Sequence, residues 1–365
     1  MIEIKRGTLI KELFARDGIK GYLVEVDNQQ EKCIVYPDMI GEVNPGDEVV
    51  LNTSAVSLNL GTGGYHFVVA SLNTRGQSLT PGGHIMKLRY TPVQLKVLSV
   101  EEEDSPHREQ MLQADSLDNI PVLVGTLHSM LAPLCQVLKT RGLKVAYVMT
   151  DGAALPISFS RTVDWLKKNN LLQGTVTVGN AFGGDLEAVN VYSGMLAART
   201  VLQADVIIVT MGPGIVGTGT KWGFTGVEQG EILNAAETLN GIPVAIPRIG
   251  FTDQRPRHQG ISHHTITVLS RICRVKAIVP LPLLEEKKMS VVMEQIENAG
   301  LFNRYGFCVE DSQQFIELYR NCELKLTTMG RGVDEEKDFY LTLGAAALTA
   351  IKLYNGDRPG YISMV

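Results

Sequence analysis

Val206-Ile-Ile-Val-Thr-Met211, running directly into Gly212-Pro-Gly-Ile-Val-Gly-Thr-Gly-Thr-Lys-Trp-Gly-Phe-Thr-Gly226, decides the fold of this 365-residue chain. The first six residues are almost all apolar and rich in β-branched side chains, with no polar residue at every second position. A strand of that kind is covered on both faces, as strands of parallel sheets are. The glycines that follow discourage a helix until about Val227, residues 227–239 then read as helix, and Ile242-Pro-Val-Ala-Ile-Pro-Arg-Ile249 reads as the next strand. The same order of apolar strand, polar or glycine loop and helix recurs from Pro121 onward. It predicts strands at 122–124, 145–149, 175–178, 206–211, 244–249 and 277–281, with the clearest helices at 187–202 and 227–239. Such alternation implies a doubly wound, mostly parallel α/β domain, Rossmann-like, over residues 116–365, with right-handed crossovers. A last helix over 335–354 carries Gly344-Ala-Ala-Ala347, small residues suited to close packing.

Residues 1–115 have another rhythm. Short alternating stretches such as Gly21-Tyr-Leu-Val-Glu-Val26, Lys32-Cys-Ile-Val-Tyr36, Asp47-Glu-Val-Val-Leu51 and Tyr65-His-Phe-Val-Val-Ala70 are separated by Asn44-Pro-Gly-Asp47 and Gly61-Thr-Gly-Gly64. Closely spaced strands with turn residues between them predict a small β-barrel or sandwich, joined by linker strands over 80–100 to the α/β domain. An oligonucleotide-binding barrel is one candidate. Residues 1–75, however, hold seven Lys and Arg against ten Asp and Glu, and lack the basic and aromatic interleaving of a base-stacking platform. The reading is a lid, interface or docking module. Ser105-Pro106 predicts an N-cap and a short helix over 106–114.

Composition narrows the function classes. The net charge of −5 offers no basic face, so no nucleic-acid partner is expected. No apolar run approaches the roughly 18 residues of a membrane span, and Met-Ile-Glu-Ile-Lys-Arg does not open like a signal peptide. The expectation is a cytoplasmic protein without membrane contact. Cys33, Cys135, Cys273, Cys308 and Cys322 are too dispersed for a zinc or redox motif, which fits buried thiols in a reducing compartment.

The chemistry should lie in the loops after the strands, where open α/β sheets bind ligands. Thr126 with His128, Asp151, Asn180 with Asp185, the glycine loop and Phe251-Thr-Asp-Gln-Arg-Pro-Arg-His-Gln-Gly-Ile-Ser-His-His264 all fall there. Gly212, Gly214 and Gly217 have the offsets of a dinucleotide fingerprint, but Gly219, Gly223 and Gly226 keep a helix from opening inside the loop. Backbone N–H groups of Gly212, Gly214, Gly217 and Gly219, with Lys221 adding charge, fit an anion nest, and Asn180 is a further ligand-binding candidate. Pro256 biases Arg255 toward extended backbone, so Arg255 and Arg257 would point the same way and clamp a carboxylate or phosphate. His258 and His263 are the candidate acid–base residues, with Asp253 as orienting group and Asp151 or Asp185 assisting; His264 is a ligand-binding candidate. Ser262 should cap the helix that carries the histidine pair, whose amino terminus would keep both rings neutral. A metal could combine His258 and one of the pair with an aspartate, giving mixed nitrogen and oxygen ligands. Nucleophilic catalysis is disfavoured, since Ser129 has no Gly-x-Ser-x-Gly elbow and Cys135 sits in an apolar helix.

Taken together, Gly83-His-Ile-Met-Lys-Leu-Arg-Tyr-Thr-Pro92, Met149-Thr-Asp-Gly-Ala-Ala-Leu-Pro156, Ala181-Phe-Gly-Gly-Asp-Leu-Glu-Ala-Val-Asn190, the glycine loop, Arg255-Pro-Arg-His-Gln-Gly-Ile-Ser-His-His264 and Thr328-Met-Gly-Arg-Gly332 resemble an uncharacterised bacterial family of unknown function. The resemblance covers nearly the whole chain and implies no activity or cofactor. The residues themselves favour an enzyme acting on a small phosphorylated or carboxylated molecule, with a ligand-sensing or protein-interaction module as the alternative and self-association as a further option.

Overall fold

The computed structural model describes residues 1–73 and 77–362. The chain divides into two compact units, Met1–Leu98 and Ser99–Val365.

The first unit is built on a closed barrel of β1 (Ile4–Arg16), β2 (Ile19–Val26), β3 (Gln29–Val35), β4 (Glu48–Asn52) and β5 (Tyr65–Ser71), in the order β1-β2-β3-β5-β4. Closure depends on β1. Its first half pairs with β4 through Ile4 to Thr8, and its second half pairs with β2 from Thr8 to Arg16. Irregularities between Leu9 and Lys11 and between Glu12 and Phe14 bend the strand so that one segment serves both neighbours. Asp27 and Asn28 turn β2 into β3 with positive φ at both positions, the geometry of a tight hairpin whose twist matches its strands. Leu9, Tyr22, Val24, Cys33, Val35, Val49, Leu51 and Val68 fill the interior. The Tyr22 hydroxyl donates to Val43 O (3.1 Å), which satisfies its one buried polar atom. A two-stranded ribbon, β6 (Ile85–Lys87) and β7 (Leu95–Val97), follows.

The second unit is an eight-stranded, all-parallel sheet flanked by helices. Its strands are β8 (Pro121–Val124), β9 (Val145–Thr150), β10 (Gly174–Thr177), β11 (Leu186–Glu187), β12 (Val206–Met211), β13 (Ile242–Ala245), β16 (Ile278–Pro282) and β17 (Gly306–Glu310), while β14 (Ile249–Gly250) and β15 (Gly260–Ile261) pair separately and antiparallel. The sheet order is β11-β10-β9-β12-β8-β13-β16-β17. This differs from the 3-2-1-4-5-6 order of a dinucleotide-binding sheet. Every residue of β9 and β12 is buried, and alternate residues feed opposite cores. Leu123, Tyr147, Met149 and Ile208 face the helices Leu131–Lys139, Arg161–Lys168 and Lys337–Tyr354. Val122, Val124, Val148 and Val209 face Val191–Thr200, Glu228–Thr238 and Glu286–Asn298. Strands added toward β11 carry their helices on the first face, and those added toward β17 carry theirs on the second, as crossovers of one hand require.

Several boundaries differ from the sequence reading. The strand expected at 244–249 stops at Ala245, because Pro247 has no N–H to give the ladder, and the chain turns out of the sheet carrying Arg248. Strands β11 and β17 were not anticipated. The helix expected from 187 starts at Val191, where Asn190 accepts from Tyr192 N and Ser193 N in a capping box. The helix expected after the histidine pair is only His263–Thr267, continued by a π-helical turn over Val268–Ile272. Among the described residues no helix is long and apolar enough to cross a membrane.

Gly344 in the last helix meets its expectation of close packing. A Cβ there would lie 2.7 Å from Ser312 Cβ and 3.3 Å from the Phe315 ring. Gly344→Val should therefore lower the unfolding free energy by about 1–3 kcal/mol, the usual cost of overpacking. Urea unfolding followed by fluorescence would measure it, and an unchanged midpoint would show that this contact yields freely.

Candidate functional site

At the carboxyl ends of β8, β12 and β13 the chain opens a pocket of about 170 Å³, lined by residues of three loops. Thr126 and Leu127 come from the loop after β8. Ile215, Val216, Gly217 and Gly219 come from the glycine loop after β12. Arg248, Arg255, Arg257, His258, Ser262 and His264 come from the segment after β13, and Met329 closes one side. No carboxylate is among these lining residues.

The arginines are not equivalent. Asp253 grips Arg255 through Nε (2.9 Å) and an NH2 contact of 2.6 Å and also accepts the Arg255 backbone N–H (3.0 Å), which holds the Asp253 carboxyl far below the usual carboxylate range. Arg331 lies 4.0 Å from the same carboxylate and pairs with Glu336, which is buried. Arg248 and Arg257 have no ion pair among the described residues. Burial pushes the Arg248 guanidinium below its ordinary pKa, and the Arg331 and Arg255 charges push the same way, against Glu336 and Asp253. Four guanidinium groups and two carboxylates leave this cluster with two positive charges in excess.

Three imidazoles cluster beside the arginines, their planes tilted or perpendicular to one another. Ring centroids are 5.0 Å apart for His258 and His263, 5.5 Å for His258 and His264, and 4.1 Å for His263 and His264. His264 also lies flat on Phe224 at 4.0 Å. His258 Nδ1 is 2.9 Å from Ser262 Oγ, which leaves Nε2 as its free ring nitrogen. Burial first, then the Arg248 and Arg255 charges, push His258 down to about 4. His264 is pushed to about 4 by burial and by its histidine neighbours, and His263 is lowered by burial and by Arg257 and Arg255. Burial comes first for all three rings in keeping them neutral at pH 7, and the arginine charges add to it for His258 and His263. Ser262 does cap the short helix of the histidine pair, accepting from His264 N.

The other sequence candidates are placed as follows. Arg257 stands in a 3-10 turn, Pro256–His258, and not in continuous extended chain, so the two arms reach the pocket by different routes. Gly217 and Gly219 line the pocket, and a side chain on Gly219 (φ +79°) would meet the Arg257 guanidinium at 3.4 Å. Gly212 instead lets the backbone of Ala154 approach, its Cβ position being 2.4 Å from Ala154 O. Gly214 lines a neighbouring pocket. Lys221 and Trp222 form an exposed loop tip, with Lys221 Nζ 5.8 Å from the Trp222 ring. Asp185 is tied up outside the pocket: burial opposes ionisation, but hydrogen bonds from Lys167 Nζ (2.6 Å) and Thr175 (2.8 and 2.9 Å) hold its carboxyl below the ordinary value. Asp151 accepts from Asn180 N (2.9 Å) and Asn180 Nδ2 (3.4 Å) at the end of β9, away from the arginines. The aspartates therefore do not join the histidines, and among the described residues no three His, Cys, Asp or Glu side chains are placed to hold a metal.

The residues match, from 32 to 347, a family described as "Protein of unknown function (DUF3866)". The chain belongs to that family. The match runs from β3 to the last helix and takes in every residue lining the pocket. No curated protein matches the chain.

Sequence reasoning missed Arg248, Arg331, Glu336, Met329 and Glu228. Arg248 was hidden inside an apolar strand pattern, and Pro247 was the available signal that the strand ends before it. Glu228 opens the helix after the glycine loop and accepts from Thr150 Oγ1 (2.6 Å). Burial, with the Asp151 and Glu231 charges, raises it to about 7. A carboxyl raised from 4.5 to about 7 keeps its proton in the folded protein while the unfolded chain has lost it, so its stabilising effect is complete below 4.5 and is lost as pH rises through 7. Glu228→Gln should remove that loss. Compared with the wild type, the variant's urea midpoint should gain between about pH 5 and pH 8; parallel midpoints over that window would show that Glu228 titrates normally.

Proposed function

We propose that this protein binds a small dianion, a phosphorylated or dicarboxylated molecule, at the carboxyl ends of β8, β12 and β13, and uses His258 for acid–base chemistry on it. The observation that carries this reading is Arg248. It is a partly buried guanidinium with no ion pair among the described residues, directed with Arg255 and Arg257 at a pocket that has no lining carboxylate. A cation is kept in that state at a cost in stability, and an anionic ligand repays it through charge-assisted hydrogen bonds. The excess of two positive charges suits a dianion better than a monocarboxylate. Thr126, Ser262 and the Gly217 and Gly219 backbone complete a polar wall for the ligand's oxygens.

His258 suits proton transfer because Ser262 fixes its Nδ1 side and Nε2 remains free. Burial is the first cause of its low pKa and the Arg248 and Arg255 charges add to it; a bound dianion would offset those charges, so its pKa should rise above about 4 on binding. Binding then draws in a proton. Calorimetry with inorganic phosphate at about pH 6, in buffers of differing ionisation enthalpy, should show uptake in the wild type and less in His258→Asn. Equal heats in all buffers would remove the acid–base role and leave the binding site alone.

Arg248→Met keeps the apolar stem and removes the charge. It should weaken inorganic phosphate roughly 10- to 100-fold, the worth of hydrogen bonds to a charged group, while leaving the melting temperature unchanged or higher. A marked drop in melting temperature with unchanged phosphate affinity would mean that Arg248 is a structural side chain.

A further inference from the structure

We infer that the anion site has a second arm that accepts an uncharged, largely apolar body, so that the natural ligand is an organic phosphate or phosphonate and not the free anion; this rests on the reading above. Next to the arginine pocket lies another of about 270 Å³, and the two share Leu127, Ile215 and Met329 as walls. The second pocket contrasts with the first. It contains none of the arginines, and its floor is built from Ala132, Pro213, Leu324 and Leu326, with hydroxyls of Ser129, Thr162 and Thr327 around them and Lys325 as its one lining cation.

The polar groups on its inner side are already engaged. His128 contacts Ser160 Oγ (2.6 Å) and Tyr147 OH (3.2 Å), and burial pushes it to about 4, so it brings no charge. Ser129 Oγ donates to Thr328 Oγ1 (3.1 Å). What remains for a ligand beneath the exposed Lys325 is apolar surface with a few hydroxyl edges, which suits a ring or short chain. The space is sufficient, since an engineered protein cavity of roughly 150 Å³ accepts benzene.

Met329 marks the junction. It has positive φ (49°), is largely exposed, and belongs to both pockets, held by the turn in which Thr328 and Arg331 exchange backbone hydrogen bonds. An unbranched thioether there can shift to let a ligand pass from one arm to the other. The anion would rest against Arg248 and Arg257, with its ester body directed past Met329 toward Ala132.

Isothermal titration with inorganic phosphate and with phenyl phosphate separates the two claims. Phenyl phosphate should bind the wild type at least ten-fold more tightly. Thr162→Trp and Thr327→Trp, at two separate and solvent-accessible rims of the second arm, should each erase that gain and leave inorganic phosphate unchanged, whereas Arg248→Met should weaken both ligands. Equal affinity of the wild type for the two, or a gain that survives both tryptophans, overturns the second arm and leaves the anion site standing. Binding of neither compound overturns both.

Discussion

The position of β8 governs this structure. It lies between β12 and β13, yet the chain leaves it toward β9 with a helix on one face, while the chain leaving β12 and β13 travels toward β17 with helices on the other. Connections that depart to opposite faces cannot cover the ground between them. At the carboxyl ends of these three strands a crevice is therefore forced by topology before any side chain is chosen, as in other open parallel sheets. The glycine loop and the arginine segment are the two long connections that border it, and their length is a consequence: each must climb from a central strand over the sheet's end to reach its helix.

Electrostatics then gives the crevice its character. Asp253 and Glu336 sit behind the arginines, where they orient Arg255 and Arg331 without neutralising Arg248 and Arg257. Full neutralisation would have made the pocket a structural salt-bridge cluster, inert toward ligands. Partial neutralisation keeps the arginines folded in place and leaves an unbalanced charge facing the opening. The histidines answer in part to the same field, since the arginine charges add to burial in holding His258 and His263 below their ordinary pKa. Under the proposed function, binding and proton transfer would be linked through one set of residues.

Much of the second unit was readable in the sequence because its strands are long apolar runs: 206–211 agrees residue for residue, 122–124 and 145–149 differ by one residue at one end, and 277–281 is shifted by one residue. Burial on both faces leaves no ambiguity in such a pattern. Strands β11 and β17 escaped because β11 has two residues and β17 mixes glycine, cysteine and glutamate at the sheet's edge. The barrel was legible as a barrel or sandwich, but closure was not, since it depends on β1 bending to pair with two partners. In the site, the loop and its arginines were visible as crowded charge, whereas the engagement of Asp185 by Lys167 and of Asp151 by Asn180 depends on tertiary neighbours far along the chain. Local chemistry identifies residues able to act, and only packing decides which are already occupied.

That distinction also explains why Arg248 carries more weight than the more conspicuous Arg255. A guanidinium beside its own aspartate two residues away is a local clamp that holds the 253–258 turn in shape, whatever the pocket contains. Arg248 has no such explanation. It follows Pro247, which ends β13 and turns the chain out of the sheet, and its backbone is fixed by bonds to Thr265 Oγ1 and Ser262 N on the histidine segment. The residue is partly buried, which lowers the guanidinium below its ordinary pKa. A sequence drifting without selection for binding would lose such a residue readily, because nearly any uncharged replacement of similar length removes a desolvation cost without breaking an ion pair.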